Sequence, residues 1–165
     1  MKSFPSLSLL LILICFSLDS FSQKEDLALK HIDAHTAAYA EAAMQIWNFA
    51  ELGYQEYQSS ALLQKTLKDA GFTLTSGVAG MPTAFIAEYG SGTPVIGILG
   101  EYDALPGLSQ AIAAEEKPIE SGAPGHGCGH HLFGVGSAAA AIAVSEWLTK
   151  TKTTGTIRYL SLIHI

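Results

Sequence analysis

The chain has 165 residues, 9 Lys+Arg against 15 Asp+Glu, and a formal net charge of −6. That length fits one domain of ordinary size, and 48% hydrophobic with only 15% charged residues supplies a packed core, which excludes disorder for most of it. The acidic balance, with no two basic residues adjacent, excludes nucleic acid and an anionic membrane surface as main partners, because both require clustered Lys and Arg.

The first 22 residues read as a secretory signal. Lys2 supplies a positive start, residues 7–18 are almost unbroken apolar sequence, and Ser20 and Ser22 place small residues where a signal peptidase cuts. The apolar stretch is too short for a stable membrane anchor. The expected location is therefore secreted or periplasmic. Loss of Cys15 with the signal would leave Cys128 as a single thiol, which in an exported protein needs burial, pairing or a metal.

Residues 25–52 read as a long amphipathic helix with Leu29, Ile32, Tyr39, Ala43, Ile46 and Ala50 near one stripe, broken by Gly53. His31 and His35, one turn apart on it, are expected to be solvated. A second helix is expected to start with Ser59 as N-cap, to carry Leu62, Leu63, Leu67 and Ala70, and to stop at Gly71. Two strand-like runs, 83–89 and 95–102, flank a glycine-containing link of hairpin type. The second run is apolar at consecutive positions, the pattern of a central strand covered on both faces. A long segment, 103–131, is punctuated by prolines and glycines, and a loop of that length in a compact domain is usually functional. An alanine-rich helix over 136–150 and a strand over 155–162 complete an α/β layered domain.

Chemistry concentrates in residues 125–131, Gly-His-Gly-Cys-Gly-His-His. His126, Cys128, His130 and His131 lie within six positions, separated only by glycines, just before a helix. Thiol and imidazole are what borderline-soft divalent metals prefer, and the glycines let neighbouring ligands converge. Only two or three ligands can come from this loop, so others must come from elsewhere. Asp103 follows the expected central strand, at the strand end where open α/β sheets bind ligands. A carboxylate there can orient a metal-bound imidazole through its second N–H, although an Asp before a turn can also be an Asx-turn residue.

A competing motif is Gly134-Val135-Gly136-Ser137-Ala138-Ala139, which matches the dinucleotide pattern G-x-G-x-x-A. No strand directly precedes it, and the region twenty residues on is rich in Thr and Lys. Tight packing of an alanine-rich helix explains the glycines better. The elbow G-x-S-x-G of serine hydrolases is absent.

His126-Gly127-Cys128-Gly129-His130 resembles the H-x-C-G-H signature of the metal-dependent amidohydrolase/peptidase family of the zinc-aminopeptidase-like clan. Residues 49–55, 77–85, 100–110 and 125–130 look like blocks of the aminobenzoyl-glutamate hydrolase type, in the same order, and the likeness runs over about 46–158. The resemblance implies an α/β fold, the N-terminal part of a zinc-peptidase-like three-layer catalytic domain, with the lid/dimerisation domain missing. It implies Cys128 and His130 as metal ligands, Asp103 as the catalytic-site carboxylate, and two divalent ions, Zn or Mn. Those ions would activate a water and polarise the amide carbonyl of a small N-acyl amino acid or dipeptide-like substrate. His131 stands where relatives carry Asp or Asn, and the roles of His126 and His131 stay open.

In relatives, a loop with paired glutamates, one of them the general base, follows the strand near residue 158, and a full-length homodimer is common. The expected organisation is thus a signal over 1–22, a partial catalytic domain over 23–158 and a non-native tail over 159–165, inactive by itself. A non-catalytic metal-binding module, a nucleotide-binding α/β domain and a structural domain with a buried thiol are the alternatives.

Overall fold

The computed structural model describes residues 6–161, with side chains from residue 27 onward. The expected signal segment falls outside the residues whose side chains are described, as does the end of the expected tail, residues 162–165. The elements are α1 (Ser6–Phe49), α2 (Tyr57–Asp69), β1 (Thr73–Ser76), β2 (Phe85–Ser91), β3 (Val95–Gly100), α3 (His130–Thr151) and β4 (Gly155–Ser161).

The first helix ends at Phe49, earlier than its periodicity suggests, because Ala50 turns into the left-handed region at φ 45° before Gly53 is reached. Of the expected apolar stripe, Ala43 and Ile46 are buried while Leu29 is exposed. The second helix begins two residues before Ser59. Ser59 is not its N-cap, because Glu51 reaches in from the preceding turn. The backbone N–H groups of Gln58 and Ser59 donate to its two carboxylate oxygens at 2.9 Å each, and the Ser59 hydroxyl donates at 2.8 Å. A carboxylate there satisfies amides that a helix start leaves unpaired and complements its dipole.

Four strands form one sheet in the order β1-β2-β4-β3. The hairpin expected between β2 and β3 does not form, because β4 inserts between them, antiparallel to β2 and parallel to β3. The carbonyls of the link are taken by the start of β4. Thr156 N–H donates to Pro94 O at 2.9 Å, and Thr156 Oγ1 donates to Gly92 O at 2.9 Å. Gly90 lies so close to Gly155 O that a Cβ would stand 2.3 Å from it. The parallel β3–β4 pair, joined through α3, is a βαβ unit. Among the described residues β3 is an edge strand, not a central one, and Val95, Ile96 and Leu99 are about half exposed. The short β1 (Thr-Leu-Thr-Ser) lacks an apolar alternation, and its pairing with β2 is what makes it a strand.

Phe85, Ala87, Ile157 and Tyr159 turn one face of the sheet toward Leu63 and Leu67 of α2 and Val135, Ala138 and Ala141 of α3, in one continuous core. Small alanines let α1 pack against α3. By length and composition α3 could cross a membrane, but more than half of its most apolar stretch is buried inside the fold, as in a core helix. His31 is buried rather than solvated. Packing of α1 on α3 brings Glu146 to 2.9 Å from its Nδ1, and its Nε2 meets Tyr39 Oη at 2.8 Å; His35 is exposed. The segment expected as a tail begins inside β4, where Tyr159 is fully buried and Ser161 Oγ accepts the Phe85 N–H at 2.6 Å.

Candidate metal centre

The site forms where β3 ends and α3 begins. Just beyond Gly100, Glu101 and Asp103 both reach His130, while Tyr102 between them is buried in the core and donates its hydroxyl to Thr83 O at 2.6 Å. Burial pushes the Tyr102 phenol up to about 12. Ala104 N–H is fixed to Glu51 O at 2.7 Å, and Leu105 and Gly125 exchange two backbone hydrogen bonds of 2.9 and 3.0 Å. That clasp closes the long loop at its base. At Gly125 a Cβ would lie 2.0 Å from Leu108 O, so only glycine fits.

The same economy brings the helix in. A Cβ on Gly134 would lie 2.6 Å from Glu101 O, so α3 abuts the strand end only because that residue is glycine. His130 lies one turn earlier on the same face of α3. Its Nδ1 is 2.7 Å from Asp103 Oδ1 and its Nε2 is 3.0 Å from Glu101 Oε2. Asp103 and His130 are buried, and Glu101 is partly open to solvent. Glu101, Asp103 and His130 each offer a ligand atom within 4.8 Å of the others. Two of the residues singled out in the sequence, Asp103 and His130, are thus side by side. Sequence reasoning misses Glu101, for which the available signal is its position two residues before Asp103 on an extended run.

Cys128 is exposed in the loop two residues ahead of His130 and is not part of that three-residue cluster. Its exposure removes the alternative of a structural domain with a buried thiol. His131 is not a surface residue. Its ring packs edge-on to Trp47, with centroids 5.0 Å apart, because α3 turns that side toward α1. Burial, with His126 beside it, lowers the His131 pKa to about 4. His126 is buried too, its Nε2–H donates to Ile46 O at 3.0 Å, and burial lowers its pKa. The two rings lie 4.9 Å apart and neither belongs to the cluster around His130. Below the site, Glu56 is fully buried; it accepts the Thr83 hydroxyl at 2.7 Å, and burial raises its pKa. The glycines of the G-x-G-x-x-A stretch lie inside α3 rather than at its start, and Gly134 serves the close approach to Glu101.

The donors fit a divalent cation. One buried carboxylate lies against Nδ1 of the imidazole, a second stands beside Nε2, and a thiol lies two residues away, a donor set of nitrogen, oxygen and sulfur that suits a divalent cation.

No protein-family model matches the chain. It is 47% identical over 129 residues to one of the subunits of p-aminobenzoyl-glutamate hydrolase of Escherichia coli (strain K12), a match covering 78% of this chain and 27% of that protein. Among solved structures it resembles a protein of methicillin-resistant Staphylococcus aureus assigned as an aminohydrolase, with TM-score 0.68, 18% identity, and coverage of 85% of this chain and 35% of that one. It also resembles the YXEP protein of Bacillus subtilis, a dinuclear metal binding peptidase from the M20 family, with TM-score 0.58, 23% identity, and coverage of 80% and 36%. The structural likenesses speak to the fold. The chain spans about a quarter of the length of the curated relatives it matches. By fold, by the order of its motifs and by identity over most of its length, the chain belongs to the metal-dependent amidohydrolase/peptidase family.

Proposed function

We propose that the protein hydrolyses the amide bond of small N-acyl amino acids or dipeptide-like substrates, with p-aminobenzoyl-glutamate as the first substrate to try. The observation that carries this reading is the His130 ring held between Asp103 and Glu101, two residues after Cys128. Cys128 and His130 would hold divalent metal, Zn or Mn, with two ions in the complete site. When bound, such ions supply an acidified water and a Lewis acid for the amide carbonyl.

The chain's own residues do the positioning. Asp103 receives the Nδ1 proton in a hydrogen bond and so fixes both the tautomer and the direction of Nε2. Gly134 and the Leu105–Gly125 clasp hold the two halves of the site together. Partial exposure of Glu101 and exposure of Cys128 leave the site open to a small substrate. We place the general base in the region that follows residue 158 in relatives. We also propose export, on the strength of residues 1–22, and a homodimer for the longer protein.

The test is release of p-aminobenzoate from p-aminobenzoyl-glutamate by the protein expressed with whatever its gene encodes beyond Ile165. Activity that chelation removes and Mn²⁺ or Zn²⁺ restores is expected. Hydrolysis indifferent to chelation and to Cys128→Ser would refute the assignment.

A further inference from the structure

The ligands implied by the family signature are Cys128 and His130, and neither Glu101 nor any other residue of its strand is among them. Yet Glu101 occupies the one approach to the ring. An imidazole's two nitrogens leave the ring on different edges, and Asp103 Oδ1 closes the Nδ1 edge at 2.7 Å. A cation can reach His130 only through Nε2, where Glu101 Oε2 stands at 3.0 Å. The carboxylate must then either move away or join the coordination.

Its backbone is seated against the helix that carries His130, with Glu101 O so near Gly134 that a Cβ there would lie 2.6 Å away. Its side chain is only 30% exposed, so little water is available to replace a lost partner. A carboxylate gains far more from a divalent cation a few ångströms away than from a single imidazole N–H. We propose that Glu101 is a metal ligand, sharing one divalent cation with His130 Nε2, while Asp103 stays on Nδ1 as a positioning residue. This rests on the metal-hydrolase reading above and adds to it a ligand on the β3 side of the site.

Titration of the full 165-residue chain with Co²⁺ tests this, with the visible d–d absorption reporting coordination. The wild type is expected to bind. Glu101→Gln should weaken binding by about tenfold or more, at least the loss that disturbing an outer-shell partner causes. Glu101→Asp, which keeps the charge, should recover part of that loss, and His130→Ala should abolish the signal. Glu101→Gln binding as tightly as the wild type, or more tightly, while His130→Ala abolishes binding, would show Glu101 to be a competitor for Nε2. That result overturns the ligand assignment and leaves the metal-hydrolase reading in place. A wild-type chain, folded by circular dichroism, that takes up no Co²⁺ overturns both.

Discussion

Gly134 of α3 and the carbonyl oxygen of Glu101 are in such close approach that a Cβ on the glycine would lie 2.6 Å from the oxygen. The contact couples a core helix to the strand end that carries both carboxylates. Gly134→Ala should destabilise the chain by roughly 1–3 kcal/mol, the usual cost of overpacking. It should also weaken Zn²⁺ binding, because His130 rides on the same helix face. Urea unfolding and zinc titration of the variant check the two effects, and an unchanged zinc affinity would break the link between this contact and the site.

Asp103 acts through His130. Asp103→Asn keeps the shape but presents a neutral partner to Nδ1–H. Metal affinity should fall about 10- to 100-fold with metal stoichiometry preserved. Competition with a chromophoric chelator measures it.

Glu56 gives a pH dependence with a definite sign. Burial raises its pKa above 4.5, so the folded chain holds the proton more tightly than the unfolded chain. Its favourable contribution is fully present below that value and is lost as pH rises through the folded pKa. Glu56→Gln, which retains an acceptor for Thr83, should therefore gain on the wild type in melting temperature as pH rises from 4.5 toward neutrality. A difference that is constant with pH would contradict the assignment.

Tyr159 tests how far the fold extends. It is fully buried, stacks with Phe85 at 5.5 Å between centroids, and donates its hydroxyl to Gly134 O at 3.2 Å. Tyr159→Ala should cost about 3–5 kcal/mol, the range for deleting a buried aromatic ring. Chemical denaturation would show it, and a loss below about 1 kcal/mol would mean that the end of β4 is dispensable.

Much of the site is legible in the sequence, because its chemistry is local. Single glycines separate His126, Cys128 and His130, and Asp103 follows an apolar strand run. Glu101 escapes such a reading because a partly exposed carboxylate resembles any surface residue until the strand's alternation points it toward His130. The expectation of a β2–β3 hairpin fails because a glycine-containing link says nothing about a third strand entering between its arms. The burial of His31 and His131 is hidden for one reason: it depends on α1 lying against α3, a long-range packing that helical periodicity does not encode.

The most direct measurement is zinc-edge anomalous diffraction from crystals grown with Zn²⁺. The proposed metal centre requires a peak bonded to His130 Nε2, with Cys128 Sγ drawn into the same centre. A peak held by unrelated atoms, or none with His130 still ordered, would contradict it.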